Sequence, residues 1–399
     1  MNKNIKLAVA GAIFAAASAA QAGIIIPAGE WTVDLSGNVN SYAMWQKSSG
    51  TVANNGGLIG AGKGTTSAAQ STGLLPNFLS VSGSSRQNDL DVTWLISLNP
   101  GGHSIHSGSA GSPNENRQAF MTFGDKSWGS VKIGKDLGIY ASDAILNDMT
   151  LLGVGAPTFA GNTTTLGRIG TGFQYADWKQ QIAYTTPNFN GFQATAGITQ
   201  AWNTTSSSSV TANDQSWAST GTAGGSPAYE GKASYSFAAN DVTGKIWVSG
   251  FSQKVNGAAS GESQAYSADI GVNLKVAGFD LTGYYYGGEG TGTTLMMSDG
   301  YSLTHNKRDV DGGYVQAKYT LPTKTVAGIS WGQSNLDRAT GEAASVNLVK
   351  TNEMLTAGLY HPLTKSINLV AEYSHISNET QTGVQANTNV GSLGGILFF

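Results

Sequence analysis

The 399-residue chain contains no cysteine, and only 12% of its residues are charged. An average soluble domain carries about 25% charge. Without thiols there is no disulfide staple and no thiolate metal centre, so order must come from an extended hydrogen-bonded framework. Proline is scarce, at nine residues. Beyond residue 22, no stretch approaches the 18 or so consecutive apolar residues of a spanning helix, which excludes a helical membrane protein. No basic block is present to neutralise phosphates, and the net charge is −3, which argues against a nucleic-acid partner. His103 and His106 stand three apart in a glycine-rich stretch, but no third ligand lies nearby in sequence, so neither a metal nor a cofactor is expected. No Gly-x-Ser-x-Gly elbow and no phosphate-binding loop occur, and the chain is read as a non-enzyme.

What fills the gap is glycine, at 54 residues, together with Ser, Thr and Asn. Aromatics make up 9% and are spread along the whole length, which argues against disorder. Residues 1–22 have the three parts of a secretory signal. Lys3 and Lys6 supply the charge, Leu7–Ala19 the apolar core and Ala20-Gln21-Ala22 the small-residue cleavage site. The expectation is cleavage after Ala22 and a single domain over residues 23–399.

The dominant period is two. Tyr266, Ala268, Ile270, Val272 and Leu274 alternate with Ser267, Asp269, Gly271, Asn273 and Lys275. The same alternation runs through Trp31–Val39, Leu90–Leu98 and Ile367–Tyr373. Strands near ten residues long with this repeat are the mark of a transmembrane barrel, whereas a soluble sandwich uses shorter strands. Short connections fall near 84–88, 124–129, 187–191, 239–241, 276–278, 321–324 and 361–366. Long ones fall near 47–75, 99–114, 137–178, 202–228, 254–263, 288–309, 336–349 and 377–386. Seven short and eight long connections predict sixteen strands, with short turns at one end and long loops at the other. Gly167–Ala176 would add a seventeenth strand and is read as the return limb of the long third loop. The chain closes on Phe398-Phe399, a terminal aromatic on an alternating strand.

The stretch Asn116-Arg117-Gln118-Ala119-Phe120, followed by Gly129-Ser130-Val131-Lys132-Ile133-Gly134-Lys135, resembles the Gram-negative general porin family. So does the hairpin Ile182-Ala183-Tyr184-Thr185-Thr186-Pro187-Asn188-Phe189-Asn190-Gly191-Phe192. The resemblance implies an all-β, sixteen-stranded antiparallel transmembrane barrel in the outer membrane of a Gram-negative bacterium, assembled as a homotrimer, with loop three folded into the lumen. Its implied partners are outer-membrane lipid and lipopolysaccharide, and small hydrophilic solutes and ions that cross by passive diffusion. In such a barrel, lumen-facing charges of opposite sign set selectivity. On the basic side the candidates are Lys135, Lys132, Arg117 and Arg168, and on the loop they are Asp143 and Asp148. Lys135 and Asp148 match family positions. Lys132 and Lys135 have opposite parity, so an unbulged strand points only one of them inward. Two family arginines are replaced by Phe78 and Ala183, which argues against strong anion selectivity. A solute-selective channel with aromatics such as Trp247, Tyr284 and Tyr286 along the lumen is an alternative, as is an exported β-rich adhesin.

Overall fold

The period-two pattern is realised as one continuous antiparallel sheet. The structure, a computed structural model, describes residues 23–50, 66–101, 114–157, 164–207, 218–223, 225–257, 261–294, 297–344 and 348–399. His103 and His106 lie outside the described residues.

Sixteen strands close the barrel. In chain order they are β1 (Trp31–Gly50), β2 (Phe78–Gln87), β3 (Leu90–Pro100), β4 (Ala119–Asp125), β5 (Gly129–Leu137), β6 (Trp178–Thr185), β7 (Phe192–Thr199) and β8 (Ala228–Ala239). The second half comprises β9 (Val242–Gly257), β10 (Gly261–Val276), β11 (Phe279–Glu289), β12 (Asp309–Thr320), β13 (Val326–Leu336), β14 (Val349–Pro362), β15 (Ile367–Thr380) and β16 (Gln385–Phe398). Each strand pairs with its neighbours in sequence, and β16 returns to β1 from Gly50 opposite Ala386 to Asn38 opposite Phe398. Gly37 and Phe399 exchange backbone hydrogen bonds at 2.9 and 3.1 Å. Closure leaves no edge, so the wall strands pair their backbone donors and acceptors with one another rather than with water. Ile24–Ala28 folds back onto the start of β1, continuing the line of β16 past its end.

The seven short turns stand where the sequence puts them. Asn88 and Asp89 take φ of 47° and 65°, and Ala277-Gly278 take 49° and 84°, the left-handed pair that lets two twisted strands meet through two residues. Two connections expected to be long are short instead. β9 and β10 stay paired up to Gly257 opposite Gly261, and β15 and β16 up to Glu379 opposite Gln385. Gly and Ser in these segments lengthen strands rather than making loops, because cross-strand pairing supplies what local propensity lacks. Gly167–Ala176 forms no wall strand, in agreement with its reading as a loop limb.

The sheet is inverted relative to a water-soluble one. Along β10, Tyr266 and Ile270 are exposed while Ser267, Asp269 and Asn273 are buried. Val39, Ile96, Met121, Ile182, Val248, Val315, Ile329, Leu355, Leu359 and Leu393 are exposed on the other strands, while Asn38, Ser97, Thr122, Gln316, Ser330 and Thr356 are buried. An apolar side chain that leaves water contributes about 1.5–3 kcal/mol, a gain available on this face where lipid or another apolar surface covers it.

Candidate pore constriction

The segment between β5 and β6, loop three, leaves the wall at Gly138 and packs against the inner face. Ala141 adopts the left-handed conformation with φ 58° and starts the short helix α1 (Ser142–Asn147). A 3₁₀ turn, Met149–Leu152, follows. Wall side chains of inward parity hold the loop along its length. Gln316 Oε1 accepts from Met149 N at 2.7 Å, Tyr42 Oη donates to Leu152 O at 2.5 Å, and Ser334 Oγ accepts from Gly172 N at 3.0 Å. Tyr284, Tyr286, Tyr314 and Trp247 face inward and are buried beneath the loop, in one cluster with Tyr140 and Phe173. They form neither a lumen ladder nor an outer belt.

Two wall lysines converge on the start of the loop. Lys232 Nζ of β8 donates to Asp143 Oδ2 at 3.0 Å and to Ser142 Oγ at 2.9 Å. Lys245 Nζ of β9 pairs with Asp143 Oδ1. The Asp143 side chain is 6% exposed, whereas Lys232 and Lys245 keep 24% and 34%. Burial alone would raise the Asp143 carboxyl, but the two lysines outweigh it and hold the group below the ordinary carboxylate range. The cluster carries one more positive charge than negative, on side chains still open to the lumen.

The other candidates are placed differently. Lys132 points inward, opposite Thr122 and Ala183, pairs with Asp136 four residues on along the same face of its strand, and lies 4.8 Å from the Phe120 ring centre. Lys135 stands opposite Ala119 and Gln180, both exposed, and so lies on the outward face. This corrects its assignment to the lumen: β5 pairs without a bulge, and strand parity places Lys132 and Asp136 inside instead. Asp148 and Arg168 also need correction. Asp148 caps the 3₁₀ turn through Thr150 N at 3.0 Å and Thr150 Oγ1 at 2.6 Å, and accepts from Arg168 N at 3.2 Å. Arg168 is fully buried and donates to Met354 O at 2.9 Å and Ser330 O at 3.0 Å. Their side chains join the two limbs of the loop and clamp it to β13 and β14. Arg117 is 9% exposed, bonds Glu115 at 2.8 Å and lies 5.8 Å from the Trp178 ring, at the outer rim. There it packs against the first residue of β6. Phe78 and Ala183 are buried on the inward face.

Lys232 and Lys245 escaped the sequence reading. Their signal is parity, because Tyr229 and Tyr235 on β8 and Ile246 and Val248 on β9 face outward, which turns Lys232 and Lys245 inward. On β9 the alternation is blurred by the two inward aromatics Trp247 and Phe251.

A closed barrel with an apolar outside, a polar inside and a long loop against its inner wall has the architecture of an outer-membrane channel. A family model described as Gram-negative porin matches residues 7–381, and the chain belongs to that family. It is a porin of the outer membrane, a channel for passive solute diffusion. Among solved structures, the outer-membrane channel DcaP of Acinetobacter baumannii is similar at 18% identity and TM-score 0.69, covering 95% of this chain and 100% of that one. The anion-selective porin from Comamonas acidovorans matches at 14% identity and TM-score 0.61, covering 93% and 100%. Salmonella typhi OmpF matches at 13% and 0.56, covering 94% and 100%. No curated protein matches the chain in sequence.

Proposed function

We propose that Asp143, Lys232 and Lys245 set the charge of the constriction and give the pore a modest preference for small anions. The observation that carries this is two partly exposed wall lysines sharing one loop carboxylate. In a narrow lumen with low-dielectric walls, the uncompensated charge concentrates the counter-ion. Lys132, whose charge Asp136 balances, is a neutral contributor by the same reasoning. The likeness to a porin described as anion-selective points the same way.

The working assembly we infer is a homotrimer in contact with outer-membrane lipid and lipopolysaccharide. A related fold, OmpT of Vibrio cholerae, is described in a trimer form. Removal of residues 1–22 fits the architecture, because Ile24 pairs with Leu35 while Phe399 bonds Gly37, so a new terminus at Gly23 follows Phe399 along one strand line. Solutes move down their own gradients, and no catalytic step is assigned. The test is bilayer conductance and reversal potential in a salt gradient. Discrete conductance steps are expected, with a loss of anion preference in Lys232→Ala and Lys245→Ala. Unchanged reversal potentials in both variants would sink the site assignment and leave the channel itself standing.

A further inference from the structure

Gln174, on the return limb of loop three, is fully buried and uses both ends of its amide. Its Oε1 accepts from Tyr140 Oη at 2.7 Å and from Ser267 Oγ of β10 at 3.0 Å. Its Nε2 donates to Thr291 Oγ1 at 2.8 Å and to Gly292 O. Next to it, Tyr175 N donates to Thr294 O at 3.1 Å. One residue therefore joins the outgoing limb of the constriction loop, the wall and the outer loop that begins at Gly290. Tyr140 lies three residues before Asp143.

The far end of that outer loop is clamped just as fully. Arg308, the residue before β12, is fully buried. Its Nε and Nη2 donate to Glu342 Oε2 and Oε1 at 2.9 and 2.5 Å, and Nη1 donates to Asp299 O at 2.9 Å and Ser206 Oγ at 3.3 Å. Asp299 in turn accepts from Ser207 N at 2.7 Å. The loops after β7, β11 and β13 thus meet at one guanidinium. A bidentate Arg–carboxylate pair fixes orientation as well as distance. The described residues Gly290–Thr294 connect this junction to Gln174.

We infer that Gln174 is a positioning residue that ties the placement of loop three, and with it the pore cross-section, to the outer loops held by Arg308. The outer loops and the constriction then form one bonded network in which a disturbance at the mouth reaches loop three through the Gln174 amide, beside the backbone bond of Tyr175 to Thr294. The inference does not need the anion reading, because its readout is conductance rather than ion preference. It rests only on loop three bounding the pore.

The test is a double-mutant cycle in single-channel conductance, with Arg308→Met, Gln174→Leu and the pair in the full chain. Heat-modifiable gel migration reports folding. Arg308→Met is expected to change conductance by roughly twofold or more in the wild-type background and to do little once Gln174→Leu is present. Gln174→Glu keeps the acceptor for Tyr140 and Ser267 and loses the donor to Thr291. It is expected to reproduce the uncoupling, and it serves where the leucine variant does not fold. Multiplicative, independent changes would overturn the inference, as would Arg308→Met leaving conductance unaltered.

Discussion

Glu230 on β8 and Glu372 on β15 make the same contact with loop three from seven strands apart. Glu230 Oε2 accepts from the consecutive backbone groups Ile139 N and Tyr140 N at 2.7 and 2.9 Å. Glu372 Oε2 accepts from Val154 N and Gly155 N at 2.7 and 2.9 Å. Glu230 has a buried cation, Lys179 Nζ, at 2.6 Å, whereas Glu372 is completed by Tyr360 Oη at 2.6 Å. One carboxylate pins the root of the loop and the other pins the region beyond its 3₁₀ turn.

Truncating the second peg should loosen that region. Glu372→Ala leaves two buried N–H groups without an acceptor, at a cost of about 1–3 kcal/mol each. The expected outcome is larger open-channel current fluctuation and a lower unfolding temperature, with Glu372→Gln milder because it keeps an acceptor oxygen. Open-channel noise equal to wild type in Glu372→Ala would show that the other contacts suffice.

Removing the loop carboxylate should have the opposite effect to removing its lysines. One unit charge at about 4 Å in a water-like medium is worth about 1 kcal/mol, so Asp143→Asn is expected to raise the anion-to-cation permeability ratio by up to about fivefold. Reversal potential in a tenfold salt gradient is the measurement; a shift toward cations would contradict the geometry.

The same carboxylate predicts a pH dependence. Because the lysines hold Asp143 below the ordinary carboxylate range, it stays ionised through mildly acid pH. A group with a depressed folded-state pKa stabilises the fold above its unfolded value, and the contribution is lost as pH falls through the folded one. Anion preference should therefore rise only below the usual carboxylate range. The rise should be absent in Asp143→Asn, where a surviving acid-induced rise would assign it to another group.

Strand parity separates two neighbouring lysines. Lys135→Ala, on the outward face, is expected to leave reversal potential and conductance unchanged, whereas Lys132→Ala, inside, leaves Asp136 unbalanced and moves the pore toward cations. An effect of Lys135 alone would refute the register of β5.

A charge on the lipid face should cost stability without touching the pore. Ile270 is 54% exposed midway along β10, and Ile270→Arg is expected to cost about 2–4 kcal/mol. Refolding equilibria in lipid vesicles provide the measurement, with conductance of the folded fraction unaltered. Wild-type stability would place Ile270 outside the hydrocarbon layer.

The amino-acid sequence by itself determined the strand period, the seven short turns, the sixteen-strand count and the loop that interrupts the wall after β5. Each is a local property, because alternation and left-handed turn residues such as Asn88 and Asp89 act over a few neighbours. The tertiary structure decided which charges meet. Asp143 finds Lys232 and Lys245 at sequence separations of 89 and 102 residues, through barrel closure and the bonds that hold loop three to the inner wall. The same folding turned Asp148 and Arg168 inward upon each other. It also sent Lys132 rather than Lys135 to the inside, since register along β5 is fixed by the partners Ala119, Thr122 and Ala183 and not by β5 alone.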